Sequence, residues 1–301
     1  MPLLASIFLN VLTPVFAIVL LGYLVGPPLG LQARTLSRIA YYLLMPAFTF
    51  SVLGTAHVDF ALAARMLGYI LAVQACCALA GILAARLLRR PPPLVAAYVL
   101  IAVFANVGNF GIAIVRFALG EAATVPATIY FVAISSTSFA IGVGAANFVR
   151  GGSLTAVVSV LRTPAVLAVG PALALNFLNI PLPPVVMRPL DLLGAAMIPV
   201  MLLGLGVQFA DSGFPRLTLD MVVASGVRLI VAPALAAALA LAFGIAGLEK
   251  GAGVIQASTP AAVFAAIIAL ENDLLPEFVT ATVLFSTALS LLTMAAVLAL
   301  L

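Results

Sequence analysis

The stretch Phe104-Ala105-Asn106-Val107-Gly108-Asn109-Phe110-Gly111 places two asparagines and two glycines within six residues, inside a run (94–118) that is otherwise almost wholly apolar. Both residue types are poor helix formers, and an amide in hydrocarbon is expensive. One reading is a discontinuous helix. Glycine frees the backbone there, and the asparagine amides satisfy the groups that the break exposes. Its second half then presents N-terminal N–H groups to a ligand, and their dipole favours an anion. The other reading is a close helix contact at glycine, with asparagine as interhelical glue. A second stretch, Gln256-Ala257-Ser258-Thr259-Pro260, favours the first. Proline removes one N–H and disturbs the carbonyl four residues back, while Gln256, Ser258 and Thr259 can re-satisfy what it frees. A lone proline makes a kink; paired with residues 104–111 it suggests two broken helices that cross, their half-helix N-termini converging on one polar pocket.

The surrounding composition sets the solvent. Of 301 residues, 65% are hydrophobic and 7% charged, against about 25% charged in an average soluble domain. Such a chain cannot cover a water-facing surface, and its apolar runs recur from end to end, so the membrane part is the whole molecule. At about 20 residues per span, the predicted spans are 3–25, 36–54, 66–88, 94–118, 127–149, 164–180, 190–210, 218–244, 252–270 and 278–300. Turn residues separate them, as in Gly26-Pro27-Pro28 and Arg89-Arg90-Pro91-Pro92-Pro93. The N-terminal run has neither a basic flank nor a small-residue cleavage site and is expected to be the first span. The fold class is thus an all-α membrane protein of ten transmembrane helices.

The two halves look alike. Pro46, expected to break span two, and Pro199, expected to break span seven, lie 153 residues apart. The same offset lays 66–88 onto 219–241, 127–148 onto 280–301, and Asn106-Val107-Gly108 onto Thr259-Pro260-Ala261. Five spans per repeat force the second copy to enter upside down, the inverted-repeat plan of secondary transporters. The expected division is therefore 1–149, a linker 150–163 whose Leu154–Leu161 stretch suits an interfacial helix, and 164–301. The 13 basic residues set the orientation. Arg34, Arg38, Arg86, Arg89, Arg90, Arg150, Arg162 and Arg216 flank one side, against Arg65, Arg116, Arg188 and Lys250 on the other. The positive-inside rule then leaves both termini outside the cytoplasm of a multi-pass cell-membrane protein.

Arg228 is the charge nearest mid-bilayer. Counted from Thr218, it lies about 15 Å deep at 1.5 Å per residue. It is either a counter-ion for an anionic substrate or, if its span starts nearer Val222, a side chain that snorkels to the interface. Span five carries Ser135, Ser136, Thr137 and Ser138, and span one carries Asn10 and Thr13. These polar groups either line the cavity or are satisfied within their own helices. His57 with Asp59, and Glu271, Asn272, Asp273 and Glu277, read as solvated loops without metal-ligand spacing. Cys76 and Cys77 are adjacent in an apolar run and imply no disulfide framework. The formal net charge of +4 comes from basic residues that lie singly or in twos and threes between apolar runs, which fits lipid-headgroup flanks and gives no nucleic-acid signal. No H-E-x-x-H, Walker loop or membrane-embedded Ser–His pair occurs, so neither an enzyme nor an ATP-driven pump is indicated, and no cofactor is expected.

These residues resemble the auxin efflux carrier family, which includes the plant PIN-type carriers. Asn106 to Ala113 is similar to its fourth-span motif, Arg228-Leu229-Ile230-Val231-Ala232-Pro233 to its eighth span, and Gln256 to Glu271 to its ninth. Pro14 and Gly22, and the run from Tyr42 to Ala47, agree with the first two spans. The resemblance implies a crossover of spans four and nine, an elevator-like exporter of small organic anions, and a homodimer. It carries Asn106 and the polar groups near Pro260 over as substrate-site positions. Two departures stand out: Ala113 occupies a place where the family commonly has proline, and the long hydrophilic central loop of many plant carriers is absent. The full candidate set is Asn10, Asn106, Gly108, Asn109, Ser136, Arg228, Gln256, Ser258, Thr259 and Pro260. The expected function is export of a small carboxylate or auxin-like indole acid. A sodium-coupled organic-anion symporter of the related bile-acid type is the alternative, followed by a passive channel or an intramembrane hydrolase.

Overall fold

The computed structural model describes residues 7–55, 60–150, 164–178, 180, 182–212 and 217–301. The predicted Leu154–Leu161 helix and the His57–Asp59 pair lie outside them. The described chain is helical throughout, and its one extended pairing is an isolated antiparallel bridge between Ala105 and Ala261. The elements are α1 (Thr13–Val25), α2 (Ala33–Ile39), α3 (Met45–Thr55), α4 (Phe60–Leu87), α5 (Pro92–Val103), α6 (Ile112–Leu119) and α7 (Thr124–Arg150). They continue with α8 (Pro164–Phe177), α9 (Pro184–Ser212), α10 (Leu219–Gly226), α11 (Ala232–Ala242), α12 (Gly247–Ala257), α13 (Val263–Glu271) and α14 (Pro276–Leu300). Among the described residues, five helical stretches are long and apolar enough to cross a membrane: Ala33–Gly54, Ala61–Leu87, Pro184–Asp211, Leu219–Ala242 and Pro276–Leu300. α7, at 27 residues, is of similar length; the rest are shorter, and two pairs of them, α5 with α6 and α12 with α13, are the broken helices.

Pro46 and Pro199 do not break their helices as expected. Pro199 lies inside the continuous α9. Pro46 is the second residue of α3, and the chain enters it from α2 through a π turn, Ala40–Leu44, without leaving the helix. The physical reason is the wider ring. Met45 N–H reaches back five residues to Ala40 O, which moves the backbone away from the proline ring that would otherwise strike the preceding turn. The device recurs: π turns Ile7–Leu12 and Val227–Val231 precede Pro14 and Pro233. A fourth, Val107–Gly111, precedes Ala113 and keeps the same five-residue bond, Ile112 N–H to Val107 O.

The helices sort into two groups by packing. α1, α2, α3, α8 and α9 pack on one another; α4, α5, α6, α7 and α10–α14 form the second group. In the first group α1 and α9 touch backbone to backbone. A side chain at Gly22 would strike Leu203 O, and one at Gly206 would strike Val19 O, so only glycine allows the approach. In the second group, Asp220 at the start of α10 takes Arg90 Nε and Tyr98 OH, both at 2.9 Å, tying it to the α4–α5 corner. α9 meets the second group at the π turn Val107–Gly111, and α3 meets it along α7.

Candidate functional site: a cavity at the crossing of two broken helices

Helix α5 stops at Val103 and α12 at Ala257, and the two breaks run past each other antiparallel. Each completes the other's backbone hydrogen bonding: Asn106 N–H donates to Pro260 O at 2.8 Å, and Ala262 N–H donates to Phe104 O at 2.7 Å. Such sharing is what allows non-helical backbone at this depth of an apolar molecule. Side-chain hydroxyls add to the backbone bonds at two carbonyls before the break. Ser258 Oγ donates to Val254 O at 2.6 Å and Thr259 Oγ1 to Gln256 O at 2.7 Å. The latter is the carbonyl four residues before Pro260, so the predicted repair by local hydroxyls is what the backbone uses.

The glycines of residues 104–111 act differently from the expected freeing of the backbone. Gly108 and Gly111 lie within the π turn and neither has positive φ. A Cβ on Gly108 would sit 2.7 Å from the Phe131 ring, and one on Gly111 would overlap Gln256 Oε1. The break itself falls at Phe104–Asn106, and the glycines let α7 and α12 close on it.

Arg228 is 3% exposed and reaches into the crossing. Its Nη1 donates to Ala102 O at 2.6 Å, its Nε to Thr259 O at 3.1 Å, and its Nη2 to Ala257 O. The guanidinium thus joins the C-terminal ends of α5 and α12. The ion pairs among the described residues are Arg90–Asp220 and Arg116–Glu121, and Arg228 is in neither.

A cavity of about 30 Å³ lies beside the crossing. The start of α6's π turn (Asn106, Val107, Gly108) and the start of α13 (Ala262, Phe264) open on it; α7 adds Phe131, Ile134, Ser135 and Ser138. Met45 of α3 and Met201 of α9 close it from the first helix group. Asn106 Nδ2 is buried with no hydrogen-bond partner. The volume admits a water molecule or two and nothing larger, so an organic anion does not fit in this arrangement.

Of the predicted site residues, the structure brings Asn106 and Gly108 together at this cavity. Gln256, Ser258, Thr259, Pro260 and Arg228 lie at the crossing but not on the cavity wall. Gln256 Nε2 donates to Ala127 O at 3.1 Å, while its Oε1 is buried with no partner. Asn10, on the π turn before α1, is exposed and makes an interaction of its own. The side chains of Asn109 and Ser136 lie outside the described residues. Sequence reasoning missed Gln74 on α4, which is 2% exposed. It donates to Ser138 Oγ at 2.7 Å and accepts from Thr137 Oγ1; Ser138 in turn donates to Val103 O at 2.8 Å. A lone glutamine in the middle of an apolar run was the available signal.

A family model described as membrane transport protein matches residues 7–159 and 153–298. The chain belongs to that family, which is the auxin efflux carrier family, and it is a multi-pass membrane protein of the transporter class. An uncharacterized transporter of Methanothermobacter thermautotrophicus is 32% identical over 105 residues, a match that spans 35% of either chain. An uncharacterized transporter of Methanocaldococcus jannaschii is 23% identical over 299 residues, covering 95% of this chain and 96% of that one.

Proposed function

We propose that the chain is a secondary carrier, an exporter of small organic anions such as carboxylates or indole acids, with its site in the cavity beside the crossing. One observation carries the reading. The unspent Asn106 amide donor lies where two half-helix N-termini, those leading into α6 and α13, open on the same buried space. Each such end carries roughly +0.5 charge, and the first N–H groups of a helix have no partner within it. A carboxylate supplies the acceptors and the charge that this arrangement lacks. Gly108 belongs to the same proposed lining, and Asn109 and Ser136 are kept as substrate-site candidates on sequence grounds. Arg228, Gln256, Ser258, Thr259 and Pro260 are assigned to holding the crossing open to it.

The position of the cavity supports alternating access. Its walls come from both helix groups, and it is too small for an organic anion as it stands. Entry therefore requires the groups to move apart, with α1–α3, α8 and α9 as the frame and the crossing as the moving part. Ten spans in two inverted five-helix repeats, with both termini outside the cytoplasm, complete the proposal. Homodimeric assembly is part of it by family resemblance. The test is exchange of radiolabelled mono- and dicarboxylates by purified protein in liposomes. Saturable exchange is expected; no exchange under any imposed gradient, or flux that fails to saturate, would end the carrier reading.

A further inference from the structure

We infer that the Arg228 guanidinium is a built-in cation of the crossing, occupying carbonyls that a coupling cation would otherwise ligate. In broken-helix transporters, half-helix C-termini and unwound carbonyls are what hold sodium. Here Ala102 O, Ala257 O and Thr259 O, from both broken helices, are all taken by one side chain. The electrostatics are self-contained. Two helix C-termini supply roughly −0.5 charge each, which together match one guanidinium. That balance accounts for a cation 3% exposed outside any described ion pair. A free cation added there would find no unspent carbonyl among these three and no net negative potential.

Two consequences follow. Arg228 is a positioning residue: it fixes α5 and α12 end to end, and through them sets the half-helix N-termini on the other side of the break. Movement of the anion draws on no sodium gradient, because the tethered charge travels with the protein. The second consequence rests on the transport reading above, whereas the first does not.

Thermal unfolding in detergent, without any substrate, tests the first consequence. The melting temperature of the unmodified protein should not change when sodium is replaced by choline at constant ionic strength. Arg228→Ala should lower it, and added methylguanidinium should raise it again in a saturable manner. Arg228→Lys, which keeps the charge, should retain more stability than Arg228→Gln, which keeps only an uncharged amide donor. No loss in Arg228→Ala, a loss that methylguanidinium does not recover, or Gln equal to Lys would overturn the inference. If Arg228→Ala cannot be purified even with methylguanidinium present, the Lys and Gln variants and the sodium replacement still decide it. In liposomes, anion exchange that requires sodium overturns it as well. Absence of exchange with intact methylguanidinium rescue would instead count against the transport reading alone.

Discussion

Asn106 and Gly111 stand one turn apart and do opposite things. The Asn106 amide is buried and spends no hydrogen bond from Nδ2 on the protein, so its removal leaves the fold's own bonds in place. A hydrogen bond to a charged partner is worth about 1.5–3 kcal/mol. Asn106→Ala should therefore weaken substrate binding by roughly 10- to 100-fold while moving the melting temperature little. Substrate titration followed by thermal shift reads both quantities in one experiment, and a parallel loss of stability with unchanged affinity would make Asn106 structural. Gly111→Ala should do the reverse, since its methyl overlaps Gln256 Oε1. Overpacking of this kind costs about 1–3 kcal/mol. Gly111→Ala combined with Gln256→Ala should recover part of that loss; purely additive effects in a double-mutant cycle would show that the two sites do not touch.

At the scale of elements, the π turns explain what proline does in this molecule. Three of the four precede a proline by the same interval, and the fourth precedes Ala113. Ala113→Pro should therefore keep the helical content and melting temperature close to the parent's, because the turn that accommodates the ring already exists; circular dichroism on heating checks this. Gly206→Leu is expected to be far worse, since α1 and α9 cannot approach with a side chain between them. Its measure is the yield of monodisperse protein in detergent. Much of this scale was legible beforehand. The two breaks declared themselves because asparagine, glycine and proline are costly in an apolar run. The roles within them were less legible. Pro46 and Gly108 look like breaks by residue type alone, yet whether a proline interrupts or merely bulges a helix depends on a hydrogen-bond register that no single residue encodes. Gln74 was hidden for a related reason: its value lies in meeting Ser138 on another helix, a contact between residues remote in sequence.

For the whole molecule, the division into two helix groups makes a claim about motion. Met45 belongs to the first group and Ile134 to the second, and both line the cavity. With Cys76 and Cys77 replaced, Met45→Cys and Ile134→Cys joined by a short bifunctional thiol reagent should stop exchange, and a cleavable reagent should restore it on reduction. Exchange that continues while cross-linked would exclude relative movement of the groups there. The class was legible from composition and the crossing from two motifs. The cavity's small volume was not, since closure is a property of how the groups meet.

The bridge between Ala105 and Ala261 also bears on how the chain is made. Residues 104–106 enter the bilayer during synthesis long before residues 258–262 exist, and until these arrive Asn106 N–H and Phe104 O lack the partners they have in the finished molecule. Neither half can seal its own broken helix, and an open backbone is unstable in hydrocarbon. Assembly therefore has an obligatory late step, the docking of the α12–α13 break against the α5–α6 break. A nascent chain released before Pro260 should be recognised as incomplete by the membrane's quality-control proteases, however well its earlier helices are inserted.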